Sequence, residues 1–262
     1  FRYLIQWSGT ILMDVPGYKK FTSRKTPVIP PHLNPKKRVS ELPVYERFHS
    51  WQGEGVHLGK SAFFIRLHGC PVHCPWCDSA GTWHPEHKPN NVDRLSPRKL
   101  AEEAFSSGCE IVIITGGEPA IHNLHDLAYE LNIRNLPVHI ETCGAFPIRG
   151  EMDWVTLSPK SLALPLEENL RLADEFKIIV EDETSIQYWA EKLNIPQFNA
   201  PTWLHPEWSQ SCNHSVLSSI TQWIKDKGFP YRAGFQIHKL FQADEQDERS
   251  QPVAALCTEP KN

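Results

Sequence analysis

No stretch of this 262-residue chain approaches the roughly eighteen consecutive apolar residues of a membrane-spanning helix, so none is expected. An excess of positive charge is also lacking. With 27 Lys and Arg against 31 Asp and Glu the net charge is −4, which speaks against nucleic acid or acidic membranes as partners. The seven cysteines are odd in number and unevenly spread, unlike the disulfide framework of a small secreted domain. A secretory signal with an apolar core and a small-residue cleavage site is missing, as is any internal repeat. What is present, 40% hydrophobic and 22% charged residues, describes a folded chain with reduced thiols in a cytoplasmic setting. Its length suits one large α/β domain or two small ones.

The two ends differ from the middle. Residues 1–44 carry eight Lys or Arg against Asp14 and Glu41, and Pro27, Pro30, Pro31, Pro35 and Pro43 break any periodicity. Residues 1–43 are therefore expected to form a disordered or non-core arm, and the acid-poor composition leaves organelle import through it open. Residues 44–241 carry the core. Beyond Phe241 the polar run through Asp244, Glu245, Asp247 and Glu248 offers no apolar face, so residues 242–262 are expected to form a loose tail.

Between the ends, strand and helix patterns alternate. Phe63–Leu67 predicts a strand; Ser96 and Pro97 open a helix that Gly108 stops; Ile111–Ile114 is a continuous apolar run suited to a buried parallel strand. A helix over Leu124–Leu131, strands over Val138–Ile140 and Trp154–Leu157, and a helix over Leu166–Ala173 follow. Phe176–Val180 predicts a strand, Thr184 caps a helix to about Leu193, and Trp203–His205 is a short strand. Asn213 opens a helix ending at Gly228, and Arg232–Gln236 predicts a last strand. Six such alternations with short connections imply parallel strands and right-handed crossovers: an incomplete, six-stranded TIM-like α/β barrel, with functional residues in loops at the carboxyl ends of the strands.

The most informative of those loops is Cys70-Pro-Val-His-Cys74-Pro-Trp-Cys77. Three thiolates there can hold three irons of a cubane 4Fe-4S cluster and leave the fourth without a protein ligand, which is where chemistry can occur. Zinc is the competing reading, with His68 or His73 completing a tetrahedron, although no second cysteine pair supplies the other knuckle of a zinc ribbon. Cys109, Cys143, Cys212 and Cys257 are isolated.

The Cys-x3-Cys-x2-Cys spacing after the first core strand, with Trp76 before the last cysteine, resembles the radical S-adenosylmethionine (SAM) superfamily. Thr115-Gly116-Gly117-Glu118-Pro119 is similar to the superfamily's SAM-binding glycine motif: glycine lets the backbone approach the amino acid end of SAM, and Glu118 is expected to accept from its ammonium. The resemblance implies that the open iron chelates SAM and that reductive cleavage of its sulfonium yields a 5′-deoxyadenosyl radical.

Further segments, in order, are similar to the 7-carboxy-7-deazaguanine synthases over about residues 44–240. They are Trp51-Gln52-Gly53-Glu54-Gly55, Arg66, Cys77-Asp78-Ser79, Glu141-Thr142-Cys143-Gly144, Ser158-Pro159-Lys160 and Gln236-x-His238-Lys239. This likeness implies conversion of 6-carboxy-5,6,7,8-tetrahydropterin to 7-carboxy-7-deazaguanine with loss of ammonia, SAM being regenerated. It also implies a magnesium ion, a homodimer and an external electron donor such as a flavodoxin or ferredoxin. Substrate would meet Trp51, Gln52, Gly53, Glu54, Arg66, Thr115, Gln236 and His238. SAM would meet Trp76, Cys77, Asp78, Gly116, Gly117, Glu118, Ser158, Pro159, Lys160 and His205. Chemistry supports several of these roles: an amide such as Gln52 can read the donors and acceptors of a pterin edge, and Arg66 offers a planar fork to a carboxylate. Glu54 either receives a substrate donor or holds its loop.

Three positions depart from the family pattern. Ser79 stands where a Thr ligates magnesium, keeping the hydroxyl without the methyl. His205 stands where Gln is frequent before the proline, and Cys143 where Asn or Ser is commoner. Two other functions fit parts of the pattern. A different radical SAM enzyme, such as an activase acting on a glycine of a partner protein, needs an open groove. A zinc-stabilised RNA-binding module would use the basic arm.

Overall fold

The computed structural model describes residues 41–251, 255, 256 and 260; the arm expected before residue 41, with Cys257 and the last tail residues, lies outside them. Strand β1 (Leu42–Trp51) pairs antiparallel with β2 (Ser61–Leu67) and, over its first three residues, with β3 (Asp93–Leu95). From β2 onward all neighbours are parallel: β4 (Ile111–Gly116), β5 (Val138–Thr142), β6 (Trp154–Leu157), β7 (Glu175–Val180), β8 (Thr202–Pro206) and β9 (Tyr231–Ala233). Helices α1 (Pro97–Ser107), α2 (His125–Asn132), α3 (Glu167–Leu172), α4 (Ser185–Leu193) and α5 (His214–Lys227) lie in the crossovers, and α6 (Ile237–Phe241) follows β9. Among the described residues no helix is long and apolar enough to cross a membrane.

The sheet order β3-β1-β2-β4-β5-β6-β7-β8-β9 leaves β3 and β9 as separate edges. The incomplete α/β barrel is thus an open sheet whose parallel run comprises seven strands, β2 and β4 to β9, one more than the six-stranded barrel expected, because the short β9 also pairs with β8. The last strand is shorter than expected: it ends at Ala233, and Ile237 already begins α6. Strand β1 was not foreseen, because Pro43, Glu46 and Arg47 interrupt its apolar pattern. Its burial nevertheless alternates, with Leu42, Val44, Glu46 and Phe48 buried.

The same alternation divides every parallel strand between two environments. Phe63, Ile65 and Leu67 of β2, Val112 and Ile114 of β4, and Val138 and Ile140 of β5 share one apolar core with α1 and α2. Phe176, Ile178 and Val180 of β7 share a second with α4 and α5. The intervening residues, Arg66, Thr115, Glu141, Thr156, Lys177 and His205, face the other way and bring polar chemistry to one side of the sheet.

Local signals act as expected at two helices: Ser96 Oγ accepts from Lys99 N (3.3 Å), Gly108 adopts the left-handed conformation (φ 71°), and Asn213 Oδ1 accepts from Ser215 N (3.0 Å). Thr184 does not cap α4 with its side chain. Asp182 does so, its Oδ1 accepting from Thr184 N (2.9 Å) and Ser185 N (3.0 Å).

The residues expected to trail loosely after Phe241 are docked where described. Ser50 Oγ donates to Ala243 O (2.9 Å), His49 N to Asp247 Oδ2 (2.9 Å), and Gln251 N to Glu46 Oε2 (2.7 Å). They cover the part of β1 that the short β3 leaves unpaired, which is why a segment without an apolar face still packs.

Candidate active site

A cavity of about 460 Å³, in the range of small-molecule sites, opens at the carboxyl ends of the parallel strands. Every residue assigned from the sequence to cluster, magnesium, SAM or substrate lines it, except Pro159 and His205. The loop after β2 brings the three cysteines to one wall. Cys77 N donates to Cys74 O (3.2 Å), and Cys77 Sγ accepts from Ser79 N (3.4 Å) and Trp83 Nε1 (3.3 Å). Around them Val72 and Cys143 are buried, with Trp76 and Phe146 packed alongside. Burial pushes the Cys74 thiol up to about 11 and raises Cys70 and Cys77 as well.

This donor set fits an iron–sulfur cluster: three soft sulfurs around a shared, largely apolar space with no hard ligand among them. Among the described residues no three His, Cys, Asp or Glu side chains are arranged to hold one metal ion. Of the two histidines offered for a zinc tetrahedron, His73 lies flat against Trp83, with ring centroids 4.3 Å apart and planes 14° apart, and His68 Nε2 is buried without a hydrogen-bond partner.

The glycine segment forms the adjoining wall. Gly117 packs so closely on Gly69 O and Cys70 that a Cβ has no space, and Gly116 (φ 148°) lies equally tight against the backbone of Leu67. Glu118 has structural partners besides its place on the cavity wall. Its carboxylate is 2% exposed and accepts from Ala120 N (2.9 Å), Thr142 Oγ1 (2.5 Å) and Cys143 N (2.8 Å). It therefore ties the loops after β4 and β5 together while still lining the cavity. Lys160 Nζ donates to Ser158 O (2.8 Å) and Oγ (2.7 Å) and stands 5.6 Å from the centre of the Trp76 ring. Burial lowers its pKa. Pro159 shapes this turn without lining the cavity.

Opposite, the polar faces of the strands converge. Arg66 Nε donates to Glu46 Oε1 (2.6 Å) and Nη1 to Ser79 Oγ (3.3 Å); burial opposes its charge, but Glu46 outweighs burial and raises the guanidinium pKa further. Gln52 Nε2 donates to Glu141 Oε1 (3.0 Å), whose second oxygen accepts from Thr115 Oγ1 (3.2 Å). Glu54 Oε2 accepts from Lys177 Nζ (2.6 Å); burial alone would raise its pKa, yet the ammonium holds it well below the usual carboxylate range. Glu54 thus has a structural partner on β7 as well as a place on the cavity wall. Asp78 accepts from Gln236 Nε2 (3.1 Å) and lies 3.7 Å from Lys239 Nζ, which overcomes burial and draws its pKa down to about 2. Gly53 packs against His238 without room for a side chain, and Trp51 meets Phe241 edge-on at 5.5 Å, so α6 closes over the first loop.

His205, assigned to SAM, sits below this layer. It is 1% exposed, both ring nitrogens lack partners, and burial lowers its pKa to about 4. It packs on Gly234 and borders a small void with Glu54, Lys177 and Glu175. Burial of this strand residue beneath the turn that follows β9, where Gly234 packs on its ring, accounts for the difference.

Sequence reasoning missed Glu46, Trp83, Lys177 and Glu175. Glu175 accepts four hydrogen bonds, from Val56 N, Trp154 Nε1, Thr156 Oγ1 and Trp203 Nε1, and so anchors the base of the site. Lys177 carried a usable signal: it is the lone charge inside Phe176–Val180, as Arg66 is inside Phe63–Leu67.

The sequence profile of the radical SAM superfamily matches residues 64–163. The chain is 40% identical over 211 residues to 7-carboxy-7-deazaguanine synthase of Synechocystis sp., covering 77% of this chain and 95% of that protein. To the 7-carboxy-7-deazaguanine synthase of Prochlorococcus marinus it is 47% identical over 161 residues, 58% of this chain and 71% of that one. The crystal structure of QueE from Escherichia coli superposes with a TM-score of 0.62 at 29% identity, covering 76% of this chain and 95% of that chain.

Proposed function

The chain belongs to the 7-carboxy-7-deazaguanine synthases of the radical SAM superfamily, and from that premise we propose that it converts 6-carboxy-5,6,7,8-tetrahydropterin to 7-carboxy-7-deazaguanine with release of ammonia. The observation that carries this reading is one cavity with two chemically distinct walls. Cys70, Cys74, Cys77 and the Gly116–Gly117 backbone line one side, and Arg66, Gln52, Glu141 and Lys177 line the other.

The three cysteines would hold a 4Fe-4S cluster and leave one iron to SAM. Bound together, the two groups supply a one-electron reductive cleavage of the sulfonium and, through it, hydrogen-atom abstraction from the substrate. The remaining work belongs to the chain. Lys160 and Ser158 present a cation and a hydroxyl to the polar end of SAM beside Trp76. Arg66, with its Nε turned to Glu46, keeps its other edge for the pterin carboxylate. Gln52, Glu141 and Thr115 offer the donors and acceptors that a pterin edge requires. Gln236 and His238, brought over the cavity by α6, would close it on the substrate. This enclosure favours a small molecule over the polypeptide of an activase.

Magnesium is part of the same reading. Ser79 Oγ, 3.2 Å from Asp78 Oδ1, is a hard oxygen at the substrate side of the cluster loop, and a magnesium ion there would keep several waters. A homodimer, a flavodoxin or ferredoxin as reductant and a cytoplasmic location complete it. The test is anaerobic reconstitution with iron and sulfide, followed by incubation with SAM, reductant, magnesium and carboxytetrahydropterin. Formation of the carboxydeazaguanine, identified by mass, is expected. SAM cleavage without that product would remove the proposed substrate, and no SAM cleavage would remove the radical reading itself.

A further inference from the structure

We propose that Trp83 is a positioning residue for the cluster, its indole N–H donating to the ligand sulfur of Cys77 and thereby raising the cluster's reduction potential. The inference rests on the reading that Cys70, Cys74 and Cys77 hold a 4Fe-4S group.

Trp83 Nε1 lies 3.3 Å from Cys77 Sγ, and the indole is held there from several directions. One face stacks on His73, a residue of the cysteine loop itself, with centroids 4.3 Å apart and planes 14° apart. His73 adopts φ 57°, a left-handed conformation uncommon for a residue with a side chain. Its stacking partner is therefore part of what defines the loop. His84 packs edge-on against the indole at 5.2 Å. The backbone leading to Trp83 is equally fixed: Thr82 is fully buried, its Oγ1 donates to Ser79 O (2.7 Å), and its carbonyl accepts from Gly69 N (2.8 Å). Ser79 N, at 3.4 Å, is a second donor to the same sulfur.

A thiolate bound to iron shares the charge of the cluster. An N–H directed at its sulfur withdraws part of that charge and stabilises the reduced, more negative form over the oxidised one. Hydrogen bonds to ionised acceptors are stronger than neutral ones, and the largely apolar surroundings of this loop keep the interaction from being screened. A ring that served only as packing would not need its nitrogen at Cys77.

The test compares reconstituted wild type with Trp83→Phe, which keeps an aromatic ring for His73 and removes the donor. Equal iron and sulfide content and a more negative midpoint in an EPR-monitored redox titration are expected. At fixed potential the reduced-to-oxidised ratio should fall several-fold and by up to about tenfold, equivalent to about 59 mV for one electron. His73→Ala should shift the midpoint the same way by less. A second measurement needs no variant: wild type carrying ¹⁵N only in its tryptophan indoles should show ¹⁵N hyperfine coupling to the reduced cluster. The indole of Trp76 also packs beside the cysteines but has no hydrogen bond to a sulfur among those described, so its coupling should be the weaker one. A fully loaded W83F with an unchanged midpoint would overturn the proposal. If W83F takes up no iron, the wild-type spectrum decides: coupling supports the proposal and its absence defeats it. Wild type without iron or sulfide would instead defeat the underlying cluster reading.

Discussion

Glu46 stands directly across the β1–β2 ladder from Arg66, its Oε1 2.6 Å from Arg66 Nε. An irregularity between Val44 and Glu46 sets this register. Glu46 also accepts from Gln251 N (2.7 Å), so one carboxylate couples the cavity-lining guanidinium to the C-terminal segment.

Glu46→Gln should therefore loosen Arg66 without emptying its place. The expected result is a KM for the carboxylated pterin raised on the order of tenfold, about 1.4 kcal/mol, with iron content unchanged. Steady-state kinetics beside iron analysis would check it, and an unaltered KM would show that Arg66 needs no orienting partner.

Lys177 and Glu54 form the most buried ion pair of the site, with side-chain exposures of 18% and 7%. Lys177→Met leaves Glu54 without its partner and should destabilise the fold by about 3–5 kcal/mol. For a protein of this size that lowers Tm by roughly 10 °C. The double change Lys177→Met with Glu54→Leu should recover much of the loss, as a thermal-melt double-mutant cycle can establish.

Acid sensitivity should arise away from the cavity, where His57 and His139 pack with ring centroids 4.5 Å apart against Trp154. Burial lowers His57 to about 4 and His139 to about 3, from an ordinary value of 6.5. The unfolded chain then binds more protons than the folded one at intermediate pH. Their contribution is complete above about pH 6.5 and is lost as pH falls towards 4 and then 3, with a slope of up to about 1.4 kcal/mol per pH unit for each histidine. Urea unfolding at a series of pH values should show this slope, and His139→Phe should flatten it.

Ser79→Ala should weaken the response of turnover to added magnesium, while Ser79→Thr should retain it. The amide of residue 79, which donates to Cys77 Sγ, survives both changes. Cluster content should accordingly stay constant, and a magnesium titration of Ser79→Ala that matched wild type would remove the hydroxyl from the metal site.

Much of this site was legible in the chain because its parts are local. Cys70, Cys74 and Cys77 lie within eight residues, and the glycines of Gly116–Gly117 are adjacent. The strand patterns before them say that both segments emerge at the same end of a parallel sheet. The partners of Glu118 and the burial of His205 were not legible, for the opposite reason. Their residue types suit a ligand, but whether a side chain meets solvent or another loop depends on packing that no short window contains.

The sequence by itself determined the kind of chemistry: a loop of soft sulfur ligands, a glycine turn for close backbone approach, and an alternation of strand and helix that gathers both at one end. Only the tertiary structure decided which charges are paired and which are free. Glu54 finds Lys177 from 123 positions away, Arg66 finds Glu46 across 20, and the polar tail finds the open edge of β1. Coordination and turn geometry are settled over a few bonds. Electrostatic pairing and burial depend on strand register and on which elements stack, and those are properties of the whole fold.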